Sequence, residues 1–392
     1  MISALLFALM MPSNVQAYEY PYHDPYLATL STGLVRSPGT EAFIDSQIYV
    51  HLLNGRTSSR PLTYRFYPKS KDNFIVLIPG LGSQISDPMT NFLASEMAAA
   101  GHSVMIVPDH FTPTFARTAS RTGIVGVTSL DAEDMRNALT QIFEQLKAVQ
   151  GFNPTHTQLV GYSLGALLAG FVVAQEQNSP TLRFEKTVLI NPPIDLLYGM
   201  QTLDSFMALK KLLPEPDRIN AKLEGAQLLI KAWVGDKLDP NYFLNMTDYF
   251  NVSEVGMQFL IGDSFHNQLQ HIFDWITIRS RKMHMPTPAI SNFEDYMQAV
   301  VIEQLSGTYN LPTTTIELTS QQSLPAYYDF FKNSKNIYLI DNQDDILLHP
   351  NDVDYIQNWF GSRATIYPYG GHMGNAWYAD NQADLIKILQ NY

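Results

Sequence analysis

Gly161-Tyr162-Ser163-Leu164-Gly165 constrains this chain more than any other stretch. Before it, Thr157-Gln158-Leu159-Val160 reads as a short strand. After it, Ala166 to Ala174 reads as a buried helix. A strand that turns sharply into a helix brings backbone atoms too close for side chains at the flanking positions, which is why both are glycine. The serine at the apex is held in a strained conformation with its hydroxyl exposed above the sheet. A chain with this element has committed itself to a buried strand beside a covering helix, and so to a layered α/β arrangement.

The flanking pattern agrees. Phe74–Ile78, Ser103–Val107 and Lys186–Ile190 are continuous apolar runs, the mark of strands covered on both faces. Helical stretches separate them: Met89–Ala100, closed by Gly101, and Asp131–Val149, with Ala138, Ile142, Leu146 and Val149 on one stripe. Upstream, Gln47–Leu53 and Leu62–Tyr67 alternate around Asn54-Gly55-Arg56-Thr57 and read as an antiparallel hairpin opening the sheet. The rhythm stops after Asn191-Pro192-Pro193. From 194 to 334 the sequence offers helical stretches (Leu203–Leu213, Tyr242–Phe250, His266–Ser280, Asn292–Leu305) punctuated by prolines, with no buried strand. It reads as a helical cap inserted into a core made of 18–193 and 335–392. Strand and helix then alternate again: Ile337–Ile340, Asn351–Phe360, Ala364–Tyr367 and Gln382–Leu389.

The net charge of −12 and the lack of any Lys/Arg-rich run remove the electrostatic basis for nucleic-acid binding. With no cysteine, disulfides, thiolate nucleophiles and Cys-based zinc sites drop out together. No His-Glu-x-x-His or carboxylate cluster suggests a metal, and no cofactor motif is present. Residues 1–17 resemble an export signal: an apolar run from Ala4 to Met11, breakers at Pro12 to Asn14, and the small-x-small site Val15-Gln16-Ala17. A periplasmic or secreted location is expected, with the cytoplasm as the alternative. No stretch is long and apolar enough to span a bilayer.

A serine hydroxyl needs a base to become a nucleophile, and the base is usually a histidine oriented by a carboxylate. His372 follows the predicted strand ending at Tyr367, in the loop Tyr369-Gly370-Gly371-His372-Met373-Gly374. Its glycines let the imidazole bend back over the sheet edge. The acid should lie beyond the strand Ile337–Ile340, where Asp341, Asp344, Asp345 and Asp352 cluster. Asp344 is the expected one, a short loop past the strand end. Asp341 would still be emerging from the sheet, and Asp345 would face solvent or cap the loop. Asp195, after the strand Lys186–Ile190, is the alternative acid, with helix capping as its competing role. An oxyanion needs two backbone donors. These are expected from Leu164, directly after the serine, and from Leu81 in the loop Pro79-Gly80-Leu81-Gly82-Ser83. His110 and Phe111 could line a pocket or belong to a surface loop. The Met and aromatic stripes of the insertion (among them Phe206, Met257, Phe259 and Phe265) read mainly as core.

In motif order and spacing, these residues resemble the serine hydrolases of the α/β-hydrolase superfamily. The likeness covers about Gln47–Asn191 and Ile337–Tyr392, with Asn191-Pro192-Pro193-Ile194-Asp195-Leu196 faintly similar to YheT-type members. It implies a mostly parallel central sheet with helices on both faces and a cap, and acyl transfer to water through an acyl-serine. On that basis a small or lipid-like carboxylic ester is the expected substrate, with no cofactor. The alternatives are a serine peptidase or amidase anchoring its substrate through a cap acid such as Glu215, Glu224 or Glu303, and a non-catalytic binding protein on the same scaffold.

Overall fold

Eight strands form one sheet in the order β1-β2-β4-β3-β5-β6-β7-β8 in the computed structural model, which describes residues 18–37, 39–177, 181–235 (backbone alone from 228) and 252–390. The strands are β1 Ile44–Ile48, β2 Leu62–Tyr67, β3 Asn73–Ile78, β4 Ser103–Ile106, β5 His156–Tyr162, β6 Lys186–Ile190, β7 Ile337–Asn342 and β8 Ala364–Tyr367. β1 and β2 run antiparallel to their neighbours, and all the pairings from β4 to β8 are parallel. This is the α/β-hydrolase fold. The expected export signal at 1–17 lies outside the described residues.

Helices cover both faces, among them α2 Pro88–Ala99, α3 Pro113–Thr118, α4 Thr128–Gln150 and α5 Leu164–Glu176, while α1 Pro25–Ser31 packs against other helices. Every residue of β4 and β6 is buried, as their unbroken apolar runs require. On α4, Ala138, Ile142 and Leu146 face the core, whereas Val149 is 75% exposed. Just past the helix, Phe152 lies against Phe66 of β2 and Phe74 of β3. The opening hairpin is also shifted. β1 ends at Ile48, opposite Leu62. Residues 49–61 fold on themselves around Asn54-Gly55, with the Leu52 amide donating to the Arg56 carbonyl (2.7 Å). The tight turn closes locally before the alternating run can extend the sheet.

Between β6 and β7 the described chain is helical. α6 (Leu196–Leu212) packs against α8 (Glu254–Lys282), and α7 (Glu215–Gly235) lies against α8 as well. The expected segment Tyr242–Phe250 lies outside the described residues. α7 was hidden behind Pro214 and Pro216. Pro216 sits in its first turn, where a missing N–H breaks no helical bond. Among the described residues, no helix is long and apolar enough to cross a membrane.

Candidate active site

β5 drives straight into α5, and Ser163 is the hinge between them, with φ 52° and ψ −129°. That conformation is costly for a residue with a side chain and persists only where its surroundings fix it. Here the Ser163 amide donates to the Ile190 carbonyl of β6 (2.8 Å). A Cβ on Gly161 would run into the backbone of Gly165, and one on Gly165 into the carbonyls of Ile78 and Pro79. The two glycines therefore let α5 start directly above the end of β3.

Parallel strands end at one edge of the sheet, so loops far apart in sequence meet there. The loop after β8 carries His372, whose Nε2 lies 2.8 Å from Ser163 Oγ. The ring is pinned through its backbone. The His372 amide donates to Thr29 Oγ1 of α1 (2.9 Å), and the preceding carbonyl, of Gly371, accepts from Asn342 Nδ2 (2.7 Å).

The carboxylate on the other side of the ring is Asp345, not Asp344. His372 Nδ1 lies 2.9 Å from Asp345 Oδ2 and 3.1 Å from Oδ1. Asp345 is 5% exposed and also accepts from the Leu347 amide (2.8 Å) and from Asn191 Nδ2 (2.9 Å). Asp344 instead accepts from the Gly371 amide (2.9 Å), and burial raises its carboxyl above the ordinary range. The physical reason lies in where the strand stops. β7 continues to Asn342, two residues past the expected end, and a turn follows, with the Asp345 amide donating to the Asn342 carbonyl (3.2 Å). In so tight a turn, neighbouring side chains point in different directions, so a small error in the strand end selects the wrong aspartate. Asp195 is the N-cap of α6, accepting from the Leu197 (2.9 Å) and Tyr198 (3.2 Å) amides.

In the loop after β3, the Gly82 amide is tied to Asp109 Oδ2 (2.9 Å) and the Ser83 amide to the Gly80 carbonyl (3.0 Å). The amides of Leu81 and Leu164 donate to no protein acceptor among the described residues. Both residues border a small apolar hollow of about 30 Å³ at Ser163. Asp109 and its neighbour His110 are fully buried, with His110 Nδ1 2.8 Å from Asp109 Oδ1. His110 thus belongs neither to the cavity wall nor to a surface loop. It is part of a buried polar pair whose acid holds the Leu81 loop in place.

Ser163 and His372 open onto a cavity of about 680 Å³. Its wall is mainly apolar, with Leu30, Leu203, Ile261, Phe265, Leu347 and Met373 among its residues. Two of its walls come from places the sequence did not flag. α1 and the residues after it contribute Thr29, Leu30, Thr32, Gly33, Leu34 and Arg36, and α7 contributes Lys222, Gly225 and Ala226. The signal for α1 was present in Asp24-Pro25, a capping acid before a proline: Asp24 accepts from the Tyr26 (3.0 Å) and Leu27 (2.8 Å) amides. Glu215, Glu224 and Glu303, offered as anchors for an amine, do not line the cavity. Among the described residues no cluster of His, Asp or Glu could hold a metal ion.

No family model matches the sequence, and no curated protein matches it. Solved structures do resemble the fold. An esterase of Pyrococcus furiosus is 12% identical, with 96% of this chain and 99% of that one covered and a TM-score of 0.47. A hyperthermophilic esterase of Pyrobaculum calidifontis is 13% identical over 96% and 92%, with a TM-score of 0.45. An arylesterase is 10% identical over 93% and 87%, with a TM-score of 0.46.

Proposed function

We propose that this protein is a serine hydrolase that cleaves carboxylic esters through an acyl-serine intermediate. The observation that carries the reading is a continuous line of contacts at the floor of the cavity. Ser163 Oγ lies 2.8 Å from His372 Nε2, and the other nitrogen of the same ring lies 2.9 Å from Asp345. In the first half-reaction His372 takes the Ser163 proton as Oγ attacks the acyl carbonyl. Asp345 keeps Nδ1 protonated, which leaves Nε2 free to act as base, and stabilises the imidazolium once it forms. The tetrahedral oxyanion is held by the Leu81 and Leu164 amides. Each such donor contributes about 3 kcal/mol to the barrier reduction. His372 then delivers its proton to the departing alcohol. In the second half-reaction it activates a water that releases the acid.

The apolar wall and a volume of about 680 Å³ suit a hydrophobic ester the size of a typical small-molecule ligand. Among the described residues, the cap places no carboxylate in the cavity wall to hold an amine terminus, which favours an ester over a small peptide. Residues 1–17, read as an export signal, make this a periplasmic or secreted enzyme, a point that N-terminal sequencing of exported protein tests. The mechanism is tested with p-nitrophenyl esters of graded chain length and a fluorophosphonate probe. Turnover and labelling of the native protein are expected, and both are lost in Ser163→Ala. Labelling that persists in that variant overturns the mechanism.

A further inference from the structure

Behind Asp345 lies a second acid that this mechanism does not use. Asp341, near the end of β7, is fully buried. Its Oδ1 accepts from the Asn342 amide (2.8 Å) and from Asn191 Nδ2 (2.8 Å). The same Asn191 nitrogen donates to Asp345 Oδ2 (2.9 Å), so one amide group bridges two carboxyls. The other oxygen of Asp341, Oδ2, is buried and meets no protein donor among the described residues. The shared Asn191 donor, 2.8 Å from Asp341 Oδ1 and 2.9 Å from Asp345 Oδ2, holds the two carboxyls close together.

Two ionised carboxylates bridged by one amide group repel, and their burial weakens the screening that solvent would give. A proton on one of them converts the repulsion into a short, charge-assisted O–H···O⁻ bond. Asp345 is the better place for the negative charge, because it accepts from Leu347, Asn191 and the His372 ring. Asp341 has fewer donors and one oxygen without any.

We propose that Asp341 carries a proton in the working enzyme and donates a hydrogen bond from Oδ2 to Asp345, as a positioning residue for the acid that orients His372. The inference rests on the Ser163–His372–Asp345 reading above. Burial and the Asp345 charge both hold the Asp341 carboxyl well above its ordinary range, in line with the geometry. The titratable group facing Asp341 is Asp345, with His372 beyond it. The neutral Asn191, which follows β6, faces it at this point, and the residue opposite on β8 is Ile366. The arrangement leaves a single negative charge beside the imidazole instead of two, and gives the Asp345 carboxylate one more hydrogen bond.

Asp341→Asn tests this, because the amide oxygen can keep both acceptor roles of Oδ1 and its NH₂ group takes the place of the protonated Oδ2. The profile of kcat/KM against pH is measured with p-nitrophenyl acetate. An amide donates more weakly than a carboxylic acid, so kcat is expected to fall about two- to fivefold, while the acidic limb of the profile stays within about half a pH unit of the wild type. A displacement of that limb to lower pH by more than this is the signature of a negative charge removed from beside Asp345, and it overturns the proposal. Asp341→Ser, which also retains an O–H donor, is held to the same criterion should the asparagine variant not fold. A second readout needs no activity. The infrared difference between wild type and D341N at neutral pH should contain the carbonyl stretch of a protonated carboxyl group. A carboxylate band in its place overturns the proposal. Wild-type protein that neither hydrolyses esters nor takes the fluorophosphonate defeats the underlying reading of the site, whereas the infrared result still decides the protonation of Asp341.

Discussion

Replacing each of the two adjacent aspartates by asparagine should have opposite consequences, and the hydrogen bonds say why. At Asp345 both oxygens are engaged. Oδ1 accepts from the Leu347 amide (2.8 Å), Oδ2 accepts from Asn191 Nδ2 (2.9 Å), and the His372 ring sits against both. An asparagine amide must put its NH₂ group in one of these positions, so a donor faces a donor whichever way it turns. With NH₂ in the Oδ2 position it donates to Nδ1 and forces the proton onto Nε2, which then cannot accept from Ser163. With NH₂ in the Oδ1 position the Leu347 amide is left unsatisfied, at about 1–3 kcal/mol. In either case the charge that stabilises the imidazolium is gone. The combined effect of wrong tautomer and missing charge is a loss of about 10⁴ in kcat, or about 5.5 kcal/mol of barrier. At Asp344, among the described residues, Oδ1 accepts from the Gly371 amide (2.9 Å), while Oδ2 is buried without a protein partner. An asparagine there keeps the used acceptor, so kcat/KM should stay within about threefold of wild type, under 1 kcal/mol. The assay is kcat/KM for p-nitrophenyl butyrate together with the rate of fluorophosphonate labelling, on variants whose circular dichroism matches wild type. If Asp344→Asn loses as much as Asp345→Asn, or Asp345→Asn stays within tenfold of wild type, the assignment of the acid is wrong.

Three further outcomes are expected. Gly165→Ala drives a methyl group into the Ile78 and Pro79 carbonyls, so it should separate α5 from β3, lower the melting temperature and abolish turnover together; a variant that keeps full activity refutes the close approach. Thr29→Val removes the oxygen that accepts from the His372 amide. About 1 kcal/mol of positioning is lost, roughly fivefold in labelling rate, and an unchanged rate shows that α1 does not hold the histidine loop. Asp131 is buried, and burial, opposed by His110 and the Gly126 amide, pushes its carboxyl up to about 7. Its folded value exceeds its unfolded one, so the native state holds the extra proton. Its contribution is therefore fully present below about pH 4 and is lost as pH rises to about 7, at about 1.4 kcal/mol per unit. Asp131→Asn should flatten the fall in chemical-denaturation stability between these limits, and an unchanged slope overturns the assignment.

Local rules carried the sequence reading a long way. Period and composition located β2 to β8 within a few residues: β2 by its alternation, and β3, β4 and β6 by the unbroken apolar runs that suit a strand covered on both faces. Ser163 and His372 were legible because strained turns need glycine, and glycine is visible in a sequence. Where the reading failed, the deciding forces were not local. β1 slid because a turn at Asn54-Gly55 competed with the sheet, and Val149 stayed in solvent while Phe152, just past α4, packs on Phe66 and Phe74. α7 went unseen because a proline in a first turn looks the same as a proline that ends a helix.

The amino-acid sequence by itself determined the layered α/β architecture, the serine at the strand-to-helix hinge and the histidine near the end of the chain. Only the tertiary structure decided which aspartate meets that histidine, since the choice between Asp344 and Asp345 depends on the phase of a turn set by hydrogen bonds to Asn191, Gly371 and Leu347. It also decided that α1 forms a wall of the cavity and that Asp341 stands behind the acid. Those contacts join residues up to 343 positions apart, and nothing in a local stretch of chain encodes which distant loop will arrive at the same edge of the sheet.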